Sequence, residues 1–384
     1  MATHIISTIL KHDAKVASYK IALLRSINDV VLSYPDLSTY NSDVVVPLRA
    51  LAEYWVAYYW PFANPAGPIM QGPRAQRAGI LRNDISFRSQ LTQLRQAWEI
   101  LSGSAKPADG FWLINELRVP RKRASYPSAL LKLYTRAVRS ISKAIEMPIR
   151  HAGPGEWTVF NKPAPYEQFN RAAAIPGTLK GDFCLLIRND LWQTFREMSL
   201  YVEALCIHEW CLFTERIRQV NVADYDRGAI YRMLTDRPDN RRPLTWERNN
   251  IDILLMEGKE FICPWTARRI NKQVAYDIDH LVPVTVYPTN ELWNLAPSDP
   301  YFNSHIKRNR LPSYEKLILA EPHLELTYTH YESSNLLSQA FREDTIIRFS
   351  TLQQEYPGFP RAVAKAVIDF IDQIAGSRNL ARFG

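Results

Sequence analysis

Cysteine is scarce in this sequence, and the few present do not pair. Only Cys184, Cys206, Cys211 and Cys263 occur in 384 residues, and no two of them form a CxxC pair. A disulfide framework is therefore not expected, a reducing cytoplasmic setting is, and a structural zinc built on paired cysteines would lack its ligands. Long apolar runs are missing too. No stretch approaches 18 uninterrupted apolar residues, so no membrane span is expected. The apolar segment at residues 5–10 is interrupted by Ser7 and Thr8 with no small-residue cleavage site after it, which argues against a signal peptide. No internal repeat or low-complexity tract is visible.

What is present belongs to a globular chain. Hydrophobic residues make up 46%, too many for a disordered protein, and the length allows two or three domains with a sizeable core. The net charge of +8 makes a polyanionic partner worth testing without identifying one. Helical periodicity dominates the first two hundred residues. "KVASYKIALLRSINDVVLSY" is amphipathic, and "FRSQLTQLRQAWEILSG" predicts a helix ending at Gly103. "SDVVVPLRALAEYWVAYYWPF" is apolar nearly all round. Tyr54, Trp55, Tyr58, Tyr59 and Trp60 crowd onto it, which favours core packing over a stacking platform for bases. "GPGEWTVFNKPAP" breaks the helices and has room for a short strand. "LWQTFREMSLYVEALCIHEWCLFTERI" reads as one long core helix. Its His208 is expected to be satisfied inside the core, since a zinc-protease helix would need a second His where Leu212 stands.

Acid is nearly absent from residues 117–150, which hold nine Lys or Arg against the single Glu146. Lys132, Arg136, Arg139 and Lys143 fall at helical spacing and would share one face. That face is either simply solvated or tracks a nucleic-acid backbone. The polar, proline-bearing stretch near 222–244 is the best place for a domain boundary. The expected architecture is mainly α with a small α+β part. Residues 1–222 would form a large helical domain, 223–313 a small mixed domain, and 314–384 a C-terminal helical segment.

The chemistry concentrates in "YDIDHLVPVTVYPTNELWNLAPSDPYFNSHIKRNRLP", residues 276–312. "VAYDIDHL" alternates as a strand with His280 near its end, "LWNLAP" suits a short return strand, and "FNSHIKRNR" suits a short helix starting near Asp299. The residue types fit phosphodiester hydrolysis. Asp279 offers an anionic oxygen and Asn303 a neutral amide oxygen to a hard divalent cation, Mg²⁺ or Mn²⁺. His280 can take a proton from an attacking water. Asn294 can hold the histidine through its ring or backbone, and Lys307, Arg308 and Arg310 can hold phosphate oxygens.

At these residues the sequence resembles the HNH endonuclease family, whose fold is the ββα-metal motif. "DIDHLVP" resembles its first element, "NELWNLAP" the one carrying the middle asparagine, and "DPYFNSHIKRNRLPS" the last. The intervals of 14 residues from His280 to Asn294 and 9 from Asn294 to Asn303 resemble those in the HNH domain of RNA-guided CRISPR nucleases. "FICPWTARRI" sits where the family has its leading hairpin. The resemblance implies His280 as general base, Asn294 as its catalytic support, Asp279 and Asn303 as metal ligands, and DNA as substrate. An endonuclease joined to a large helical targeting or regulatory domain would suit a restriction or anti-phage defence system with protein partners of its own. An RNA-cleaving HNH toxin and a non-catalytic nucleic-acid-binding or assembly protein are the alternatives. In one respect the sequence departs from the family. Many HNH proteins bind a structural zinc through two CxxC pairs, whereas here Cys263 stands alone. No structural zinc is expected, and Trp265, Trp293, Tyr301 and Phe302 are expected to replace it by packing.

Overall fold

The protein is described by a computed structural model covering residues 3–34, 37, 41–73, 76–77, 80–81, 83–217, 226–236, 244–287, 289–349, 352 and 358–384. It is mainly helical with a few small sheets. The chain divides into two compact units. Residues 1–118 and 122–236 form the first, and 237–384 form the second together with 119–121. The division follows residue 236, and of the polar stretch 222–244 only 226–236 and 244 lie within the described residues. The C-terminal helices share one hydrophobic core with the 261–298 strands, so they complete the small mixed domain instead of following it as a separate segment.

The first unit is built on helices Tyr19–Ser33, Leu48–Tyr59, Ser128–Arg150 and Ser199–Arg216. Helix Tyr19–Ser33 is buried almost all round rather than along one stripe. Tyr54, Trp55, Tyr58, Tyr59 and Trp60 are all buried, and Tyr59 packs against Phe87 and Trp210 at ring-centroid distances of 5.1 Å each, so the aromatic cluster is core. Helix Arg88–Ser102 ends on Gly103 in the left-handed conformation, at φ +66°, which glycine adopts without a Cβ penalty.

Two sequence readings change here. "VVVP" is not the start of the buried helix but a strand, Val44–Pro47, antiparallel to Phe183–Ile187 and parallel to Ala173–Ala174. Ala164–Pro165 completes this four-stranded sheet, as the short strand expected after the Gly-Pro break. The long core helix is two helices, Asn189–Glu197 and Ser199–Arg216, parted at Met198. Cys206 and Cys211 are buried on the second, but His208 is exposed. It lies on the outer face and not in the core.

The second unit begins with helix Thr245–Met256 and the hairpin Phe261–Ile262/Arg269–Ile270. Strand Asp277–His280 then pairs antiparallel with Leu295–Ser298, setting His280 opposite Leu295 and Asp279 opposite Ala296. A π-helical turn, Phe302–Lys307, follows. Helices Tyr314–Ser333, Ser338–Arg348 and Phe359–Ser377 close the core, and Leu311–Pro312 pairs in parallel with Arg382–Phe383 near the C-terminus. Tyr328 and Tyr331 donate to the carbonyls of Trp293 and Leu295 at 2.6 and 3.0 Å, fixing the return strand to the first of these helices. No helix among the described residues is long and apolar enough to cross a membrane.

Candidate functional site

His280 ends its strand only 3% exposed. Its Nε2 lies 2.6 Å from Oδ1 of Asn290. An amide oxygen only accepts, so the contact is a hydrogen bond donated by Nε2. Asn290 sits in the 281–294 loop that joins the paired strands, and sequence spacing gave no reason to single it out from ordinary turn asparagines.

Asn294 holds the shape of that loop. Its Oδ1 accepts from the Val282 backbone at 2.8 Å, while Nδ2 donates to the carbonyls of Val282 and Thr289 at 3.1 and 3.3 Å. Its backbone carbonyl accepts from Leu281 at 2.8 Å. The side chain is fully buried and nearly saturated. It therefore supports the histidine through the two residues that follow it, by way of the backbone and not the ring.

Asp279, also 3% exposed, has a partner on each carboxylate oxygen. Oδ2 accepts from the Trp265 indole at 2.8 Å, and Oδ1 takes the Lys307 ammonium at 2.7 Å. Lys307 also donates to the His280 carbonyl at 2.6 Å and is 1% exposed. Expected to hold phosphate, it is instead an internal counter-ion bridging the tip of the histidine strand. Trp265 was expected only to pack. The signal for its second role is general, since a buried indole N–H needs an acceptor and Asp279 is the acid one hairpin away.

The turn that carries Asn303 and Lys307 is tied down through Asp299. The Asp299 carboxylate accepts from the Phe302 backbone at 3.1 Å and pairs with Arg268 at 2.8 Å, and its N–H donates to the Cys263 thiol at 3.3 Å. The Arg268 hydrogen bond, with backbone help from Phe302, holds the Asp299 carboxyl below the usual carboxylate range. Cys263 and Arg268 thus fasten the hairpin to the turn. Trp265 and Trp293 are buried and Phe302 packs edge-on against Phe383, as expected, but Tyr301 is 66% exposed and stacks on His305 instead. Asn303 is half-buried, and its side chain makes no hydrogen bond to another described residue. Arg308 is exposed at φ +49°, while Arg310 folds back to the Ile306 carbonyl.

The donor set does not offer a divalent cation an open site. The one carboxylate expected to ligate is already neutralised by a buried ammonium. Among the described residues, no three His, Cys, Asp or Glu side chains gather closely enough to hold a metal ion. Of the two expected ligands, Asn303 is the one whose side-chain oxygen has no partner among the described residues.

The basic face lies in the first unit. Lys132, Arg136, Arg139 and Lys143 are all exposed on helix Ser128–Arg150, opposite a buried stripe of Leu130, Tyr134, Ala137, Ile141, Ala144 and Ile145. Among the described residues none of the four has an ion-pair partner. Lys122, from the same cationic run, is by contrast buried beside Glu116 at 3.6 Å.

In comparison with known proteins, the family described as a domain of unknown function, DUF8808, matches residues 1–234. No curated protein and no solved structure matches the chain. The family match covers the basic helix and ends before the strand that carries His280.

Proposed function

The chain belongs to the DUF8808 family, and from that premise we propose that its second unit is an endonuclease domain hydrolysing phosphodiester bonds, with DNA as substrate by its HNH resemblance. The observation that carries this reading is the joining of three separate sequence elements at one strand tip. The antiparallel pair 277–280/295–298 and the turn 302–307 bring His280, Asp279 and Lys307 into contact, in the element order of a ββα unit. Asn290 accepts from Nε2 and orients the ring, and His280 would take the proton of an attacking water. Since His280 is buried, water has to be admitted to it for this step. Arg308, exposed at the end of the turn, is the cation suited to meet a phosphate oxygen. The resemblance implies Mg²⁺ or Mn²⁺, and the paired state of Asp279 has to be reconciled with that requirement. In this reading the DUF8808 unit targets or restrains the nuclease, a division of labour that suits a defence effector working in the cytoplasm.

The test is nicking of supercoiled plasmid with Mg²⁺ or Mn²⁺, comparing the parent with His280→Ala and running structured RNA in parallel. His280-dependent cutting of plasmid supports the reading, and cutting of RNA alone moves the substrate to RNA. A second reading is favoured by the neutralised Asp279 together with the exposed cationic helix, namely a nucleic-acid-binding or assembly protein without catalysis. Binding of nucleic acid with no cleavage under any metal condition would select it.

A further inference from the structure

Lys307 is an unusual residue to find 1% exposed, since lysine is almost never fully buried unless it is paired. Its ammonium lies 2.7 Å from Asp279 Oδ1 and 2.6 Å from the His280 carbonyl oxygen. One carboxylate and one backbone carbonyl are the kind of oxygens a hard divalent cation takes, at shorter range. We propose that Lys307 is the resident cation of this site, so that a divalent metal reaches Asp279 only by displacing it. The proposal takes the class of metal from the nuclease reading, but its test reads metal binding and not cleavage.

With Lys307 in place the Asp279 carboxylate is neutralised, so the two cations exclude one another there. What argues for a competitor that leaves over a fixed structural ion pair is the turn itself. Lys307 closes a π-helical turn in which Arg308 N–H reaches back to the Asn303 carbonyl at 3.0 Å, and Arg308 is a non-glycine residue at φ +49°. Backbone of this kind is costly and concentrates at active sites, ligand clamps and switch regions. Slipping the turn by one residue into α register rotates Lys307 about the helix axis by roughly 100° and takes its side chain off Asp279. Asn303, whose amide oxygen has no other partner among the described residues, rides on the same turn. The one movement that removes the ammonium therefore also repositions a neutral oxygen donor.

The test uses the full chain and Mn²⁺ alone. In the parent, apparent Mn²⁺ affinity is reduced by the fraction of molecules in which Lys307 has left. Lys307→Met is therefore expected to bind Mn²⁺ more tightly than the parent by on the order of tenfold or more, read by the loss of the free-Mn²⁺ paramagnetic resonance signal. Adding Asp279→Asn to that variant should abolish the gain. Equal or weaker binding by Lys307→Met, or a gain that survives Asp279→Asn, overturns the proposal. Because a buried unpaired carboxylate can prevent folding, a second measurement uses the unaltered protein. Lysine acetylation followed by peptide mass spectrometry should find Lys307 protected without metal and labelled at saturating Mn²⁺. Labelling unchanged by Mn²⁺ overturns the proposal. If the protein cuts no nucleic acid yet shows the Asp279-dependent gain, the nuclease reading fails and this one stands. If it cuts nucleic acid without showing the gain, the nuclease reading stands and this one fails.

Discussion

His280 depends on two asparagines that act differently. Asn290 touches the ring, while Asn294 holds the backbone just beyond it. On the proposed nuclease reading, replacing His280 with Ala removes the proton acceptor and should lower plasmid nicking by ~10²–10⁴-fold while leaving DNA binding near the parent value. A His280→Ala protein that nicks as fast as the parent would remove the residue from the mechanism. Asn290→Ala removes the hydrogen bond at Nε2 and with it one constraint on the ring. A smaller loss is expected, on the order of 10–100-fold, with an unchanged melting temperature, because Asn290 is only half-buried. A melting temperature that falls with the rate would make Asn290 structural. The strand placement of Asp279 and His280 was legible in the sequence, from the alternation of residues 274–281 and the short return run 292–297. Asn290 and Trp265 were not, since the role of each comes from a fold-dependent contact that no spacing encodes. The same limit hid the true partner of Lys307. Sequence identifies a cation near the site but not whether it faces inward.

At the scale of elements, the 281–294 loop is held from outside by helix Ser338–Arg348. Asp344 accepts from the Leu292 backbone at 2.8 Å, and Arg348 pairs with Glu291 at 3.0 Å with both side chains buried. Arg348 also lies 4.8 Å from the ring centroid of Tyr287. The loop that delivers Asn290 is thus fastened by Asn294 on one side and by this helix on the other. Arg348→Met should destabilise the second unit by ~3–5 kcal/mol, because it leaves the buried Glu291 carboxylate without its cation, held only by the Trp293 indole. Arg348→Met with Glu291→Gln should recover much of that loss, as read by urea denaturation. No recovery in the double variant would mean the cost lies in lost packing over Tyr287 instead. Asn294→Ala should cost ~2–3 kcal/mol, since it strips partners from buried backbone groups of Val282 and Thr289. The strands and helices here followed periodicity well. Val44–Pro47 was missed because an all-apolar run has no period to separate strand from buried helix, and the break at Met198 because neither Gly nor Pro marks it.

Over the whole molecule, the proposed division of labour places chemistry in one unit and the exposed cationic helix in the other. The two units have separate hydrophobic cores, and the C-terminal helices belong to the catalytic candidate because Tyr331 of helix Tyr314–Ser333 packs on Phe261 of the hairpin and donates to Leu295 of the return strand. That membership was invisible in sequence, where helices after Pro312 have no marked partner. The cationic helix was legible, because an amphipathic period with Lys and Arg on one side and Leu, Ile and Ala on the other fixes which face is exposed. Exposure alone does not decide between a solvated face and a binding one. The charges do have a measurable consequence if they meet phosphates, since every phosphate left without its cation keeps a counter-ion that binding would otherwise release. Changing Lys132, Arg136, Arg139 and Lys143 together to Gln should weaken binding to all DNA sequences alike. It should also flatten the dependence of log K on log salt by up to roughly four phosphates' worth, about 0.9 for each. The four side chains point away from the buried stripe and have no ion-pair partners among the described residues, so the melting temperature should hold. Nicking rate at saturating DNA should hold as well, because none of the four belongs to the His280 unit. Affinity and salt slope measured from low to moderate salt decide the question, and values equal to the parent's would show a face that is merely solvated.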